Sequence, residues 1–107
     1  MRADPMSDLV LARFRAAVDV AYGSRLERVV LFGSRARGDE RPDSDYDVAV
    51  FIEHAGSLSD ELHQLASIST EILLDTGAVI SAKPFDAGAY RARTGFMHEL
   101  REDGLDL

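Results

Sequence analysis

Residues 29–51 read VVLFGSRARGDERPDSDYDVAVF, and the order of residue types in this stretch decides the fold. The run 28–32, RVVLF, is β-branched and apolar and stops abruptly at Gly33, which predicts a buried strand. Residues 34–44, SRARGDERPDS, are dense in charge and contain a glycine and a proline, so they read as a loop with at most one helical turn at its start. Residues 45–52, DYDVAVFI, then predict a second buried strand.

On the N-terminal side, residues 8–22 place Val10, Phe14, Ala17, Val18 and Ala21 at helical spacing, with Ser7 as the expected N-cap and Gly23 as the stop. Past His54 to Gly56, residues 58–75 predict a helix with Leu58, Leu62, Leu65, Ile68, Ile72 and Leu73 on one side. Ser57 and Asp60 have capping-box spacing and Gly77 closes the helix. Residues 78–83, AVISAK, predict a third strand stopped by Pro84. Residues 86–103 predict two helical pieces broken near Gly95, with Phe96, Met97 and Leu100 in the core or left as a patch for a partner, and Tyr90, Arg91 and Arg93 on a solvated face. His54, His63 and His98 lack any paired metal spacing and read as surface or helix-end residues. This order describes a small α/β (α+β) layer in which helices cover a short sheet.

The chain has 107 residues, enough for one domain over 1–107 with a single core and no need of a disulfide or structural metal. There is no cysteine, which removes thiol redox chemistry, thiolate zinc sites and cysteine nucleophiles. No apolar run approaches the length of a membrane span, so a cytoplasmic protein is expected. A net charge of −7 argues against nucleic acid as a general ligand held by phosphate neutralisation. Lys83 is the only lysine among the twelve basic residues. The arginine bias suits phosphate recognition by a planar fork of donors, although composition alone produces it too.

The chemistry concentrates in the same central stretch. Asp45 and Asp47 are two apart at a strand start, so their side chains share a face with Cα atoms about 6.5–7 Å apart. Carboxylates held this close repel unless a cation or a proton compensates them. Oxygen ligands with open positions suit magnesium, or manganese in its place. Gly33 allows close approach of a phosphate to the backbone, Ser34 adds a hydroxyl donor, and Arg35 and Arg37 add cationic donors nearby. Two other motifs fail on the letters. Gly33 and Gly38 have the spacing of P-loop glycines, but Asp39 and Glu40 stand where lysine and serine or threonine are required. Asp43, Asp45 and Asp47 imitate an EF-hand start, but Val48 and His54 occupy its glycine and glutamate positions.

Gly33-Ser34, ten residues, then Asp45-Tyr46-Asp47 resembles the GS-x10-DxD signature of the polymerase-beta-like nucleotidyltransferases, specifically their minimal members. The resemblance runs from about the first helix to the third strand. It implies a mixed-sheet core, magnesium, and transfer of a nucleoside monophosphate from a triphosphate, commonly ATP, to a hydroxyl or similar acceptor. It assigns the triphosphate to Gly33 and Ser34 and the metal to Asp45 and Asp47. Active members also carry a third acidic residue on the third strand, where this chain aligns Ser81, with Lys83 and Asp86 nearby. Minimal members occur with small helical HEPN partners as toxin–antitoxin pairs. The resemblance therefore also implies an alternative role, that of a nucleotide-binding antitoxin.

Overall fold

The computed structural model describes residues 4–53 and 56–107, so the reading of His54 lies outside the described residues. Helix α1 spans Leu9–Tyr22 and is capped by Asp8, whose carboxylate accepts from the N–H groups of Val10 and Leu11. Ser7, the expected cap, instead ends a short 3-10 turn at Pro5–Ser7. Aspartate caps as well as serine, and the added turn moves the helix start one residue along. Its buried stripe is Leu11, Phe14, Val18 and Tyr22, with Val10, Ala17 and Ala21 at the margin.

Strand β1 (Leu26–Phe32) leads into a single turn, α2 (Ser34–Arg37), then a loop and strand β2 (Tyr46–Ile52). Helix α3 (Leu58–Thr76) starts at Ser57, whose hydroxyl accepts from Asp60 N–H, and ends at Gly77 with φ 77°. Its buried positions are Glu61, Leu65, Ile68 and Ile72. Leu58, Leu62 and Leu73, expected on the same buried side, are exposed because the sheet beneath the helix ends at its outermost strand.

That strand, β3 (Ile80–Asp86), continues through Pro84 and includes Asp86, whereas the sequence suggested a stop at Pro84. An edge strand tolerates proline wherever the missing N–H would face away from the neighbouring strand. A 3-10 turn at Ala87–Arg91 precedes helix α4 (Gly95–Asp103), which begins at Gly95 with Thr94 as its cap. A two-residue strand, β4 (Leu105–Asp106), pairs with Leu31 and Val30. Two residues carry too little pattern to be read in advance.

The strands lie in the order β3-β2-β1-β4. The β1–β2 and β1–β4 pairs are antiparallel and β2–β3 is parallel, so the sheet is mixed. Val29, Leu31, Val48, Val50 and Ile52 face α1 and α3 and form the larger core with Phe14, Val18, Leu65 and Ile72. Val30, Ala49 and Phe51 face the other way and pack against Met97 and Leu100. Tyr90, read as solvated, is half-buried in an edge-on contact with Phe51 and lies under Arg28. Phe96, read as core or as a patch, is exposed. Among the described residues no helix is long and apolar enough to cross a membrane.

Candidate functional site

The strand period of two sends Tyr46 and Val48 into the helix-backed core and Asp47 to the opposite face. Asp45 precedes β2 and is exposed, while Asp47 is half-buried. Burial pushes the Asp47 carboxyl above the usual carboxylate range; Lys83 opposes the rise, Asp45 adds to it, and Arg37 again opposes it. The two aspartates thus form a local surplus of negative charge that favours a cation or a proton.

Gly33 is what lets Asp47 sit where it does. Phe32, the last residue of β1, pairs with Asp47, and Gly33 follows at φ 74° and ψ −156°, a conformation for which L side chains are poorly suited. A Cβ on Gly33 would collide with Asp47 Oδ2 and lie 3.2 Å from its Cγ. The strand end and the carboxylate are therefore fitted to one another, with room only for hydrogen on the glycine. The Ser34 hydroxyl makes no hydrogen bond among the described residues, which leaves it available to a ligand. Gly33 carbonyl accepts from the N–H groups of Ala36 and Arg37, closing the α2 turn.

The two arginines separate. Arg37 is exposed, pairs loosely with Asp39 at 3.4 Å, and stays on the Asp47 side, where it lines a cavity of about 250 Å3 with Phe32, Gly33, Phe96 and Glu99. Arg35 turns to the opposite side: its guanidinium donates to the Ser44 carbonyl at 2.8 and 3.0 Å and stacks 3.9 Å over the Tyr46 ring. Arg35 thus ties the loop before Asp45 to the start of β2, and is not gathered with the other expected phosphate donors. Tyr46 completes this brace, its hydroxyl donating to Asp8 Oδ2 at 2.7 Å. Burial and the hydrogen bond to Asp8 push its phenol up to about 12. The residue between two aspartates thus joins the strand to the cap of α1, a role that sequence spacing does not signal.

On the third strand, Ser81 pairs directly with Asp47 in the parallel register, as aligned from the sequence. Lys83, two residues on, falls on the same face, while Asp86 pairs with Ile52 at the far end of β2. Among the described residues, no group of three His, Asp or Glu side chains is placed to hold a metal. The donor set nevertheless fits one oxygen-preferring cation: two carboxylates, an unshared hydroxyl at Ser34, and a glycine whose missing side chain keeps the space beside Asp47 open.

Residues 19–101 match the family described as Polymerase beta, Nucleotidyltransferase. A protein of Methanocaldococcus jannaschii, MJ0141, named as a candidate protein adenylyltransferase, is 26% identical over 98 residues, which are 92% of this chain and 95% of that protein. The solved structure of a candidate minimal nucleotidyltransferase is 22% identical with a TM-score of 0.63, covering 99% of this chain and 98% of that one. A crystal structure of a toxin–antitoxin with AMP-PNP is 15% identical with a TM-score of 0.61, covering 87% of this chain and 68% of that one. At these identities the two structures establish a shared fold.

Proposed function

The chain belongs to the polymerase beta nucleotidyltransferase family, and from that premise we propose that it transfers a nucleoside monophosphate from a nucleoside triphosphate, ATP foremost, to a hydroxyl on another protein, with magnesium as cofactor. The observation that carries the reading is the fitted contact of Gly33 with Asp47 at the strand end. Asp45 and Asp47 would hold the magnesium, which supplies charge stabilisation at the phosphates when bound. Ser34 Oγ and the backbone at Gly33 bind the triphosphate, and Arg37 adds positive charge from the same side. Arg35 and Tyr46 keep the aspartates in place from the other face. The acceptor oxygen bonds to the α-phosphorus, the bond from that phosphorus to the bridging oxygen breaks, and pyrophosphate leaves. The acceptor's proton passes to solvent, since β3 offers Ser81 and not a carboxylate opposite Asp47. The protein acceptor is favoured by the likeness to MJ0141.

The test is a transfer assay with α-labelled ATP, magnesium and candidate acceptor proteins. Label on a protein that depends on Asp45 and Asp47 is expected. No label on any acceptor, together with no magnesium-dependent thermal shift by ATP, would remove the reading.

A second reading, an antitoxin that covers a HEPN-type partner, is favoured by one surface. Leu62, Leu73 and Val79 are exposed along a groove between α3 and β3, and α3 exposes Asp60, Glu71 and Asp75 but carries no lysine or arginine. A partner with an apolar, basic face suits it, and complementary charge mainly speeds association. Co-expression with a small helical protein from an adjacent gene should then give a stable complex. Loss of that complex on Leu62→Glu would support the surface, and no complex with the parent chain would exclude it.

A further inference from the structure

We infer that Lys83 adds to this site, beside Arg37, a fixed positive charge in place of a second metal ion, so that the chain binds a triphosphate with one divalent cation and one ammonium group. The inference rests on the nucleotide reading above and concerns how that site is charged.

The parallel register pairs Ser81 with Asp47 and Lys83 with Ala49, so Ser81 and Lys83 share the Asp47 face of the sheet. Ala49 itself is covered by the patch it forms with Phe51, Met97 and Leu100, and the Lys83 side chain beside it stays exposed on that face. The ammonium lies 5.8 Å from the centroid of the Phe32 ring, and Phe32 is the residue that pairs with Asp47. Lys83 therefore reaches over the sheet to the end where Gly33 and the aspartates meet. Among the described residues it makes no ion pair within 4.0 Å, although the protein is acidic.

Two-cation sites place their ions about 3.5–4 Å apart and need acidic ligands for both. Here the register offers a hydroxyl where another carboxylate would be needed, and it offers an ammonium two residues further along the same face. An ammonium is a compact point charge suited to phosphate oxygens. It is also fixed to the chain, so its charge does not depend on metal concentration.

The experiment titrates manganese, followed by electron paramagnetic resonance, into the protein with an ATP analogue whose α–β bridge is a methylene group. The parent chain is expected to bind one manganese ion per bound analogue. Lys83→Met keeps the apolar stem, so the ligand-free melting temperature should hold, while the dissociation constant for the analogue rises about tenfold, or about 1.4 kcal/mol. Lys83→Arg should restore most of that affinity. The double variant Ser81→Asp with Lys83→Met should bind a second manganese ion. Two ions in the parent chain, or an unchanged constant in Lys83→Met, would overturn the inference while leaving the nucleotide site standing. A parent chain that binds no analogue with manganese would remove the nucleotide reading and this one with it.

Discussion

The two faces of the sheet are built from the same strands but carry opposite chemistry. Under α1 and α3, β2 presents Tyr46, Val48, Val50 and Ile52 to a continuous apolar core. On the reverse, the same strand presents Asp47, then Ala49, then Phe51, so polarity falls steadily from the aspartates towards the patch under α4. Repulsion between Asp45 and Asp47 works against the fold, and the helix-backed face supplies the apolar burial that offsets it. Stability and chemistry are thus divided between faces only one strand thick.

The largest expected effect breaks the first face alone. Phe14 is fully buried, and Phe14→Ala should cost about 3–5 kcal/mol in chemical denaturation. Whatever fraction remains folded should still show a magnesium-dependent ATP shift. A shift lost in parallel with stability would mean that the faces are not separable.

Next is Gly33→Ala, which strikes the second face. The positive φ costs about 1–3 kcal/mol, and the Cβ must displace Asp47. The thermal shift given by ATP and magnesium should vanish at temperatures where the variant is still folded. A retained shift would mean that the contact with Asp47 is not needed for binding.

Tyr46→Phe tests the brace between the faces and should cost about 1 kcal/mol by removing the bond to Asp8. The folded phenol is pushed up to about 12 from 10, so the native state holds its proton more tightly. The stability it contributes is complete below pH 10 and is lost as pH rises from 10 towards 12. Denaturation between pH 9 and 11.5 should show a shallower alkaline decline in Tyr46→Phe, although Tyr22, also raised to about 12, keeps part of the slope.

The smallest effect on stability is that of Asp47→Asn. The native Asp47 carboxyl is raised by burial foremost, so the metal-free fold prefers its protonated form. The parent chain should therefore gain stability as pH falls through the folded value towards the unfolded one, where the variant does not. At neutral pH the metal-free variant should be as stable as the parent or more so, and the difference should narrow on acidification. A variant clearly less stable at neutral pH would show that Asp47 is held by favourable contacts.

The placement of the candidate site residues was legible wherever their neighbours are local. Gly33, Asp45 and Asp47 stand out by their spacing, while Ser81 was placed opposite them by the resemblance to the family, and the parallel register pairs it with Asp47. What escaped depends on contacts that only the folded chain brings together. Arg35 resembles a phosphate donor until the Ser44 carbonyl and the Tyr46 ring are seen to occupy it. The α3 stripe was read too wide because periodicity reports an apolar side but not how far the sheet extends beneath it. Asp8 displaced Ser7 since both can cap, and only the preceding turn at Pro5–Ser7 decides between them.

Pro84 has a bearing on how this protein behaves in a crowded solution. β3 is the outer strand on its side of the sheet, and an unpaired outer strand is a template for runaway strand-on-strand stacking between copies. A proline in the middle of that rim removes a donor from the row that an incoming strand would need, so a continuous seam cannot zip along Ile80–Asp86. The rim opposite is guarded differently, since β4 is only two residues long. One sheet therefore carries two unrelated safeguards against fibrous self-association, neither of which intrudes on the aspartate end of the molecule.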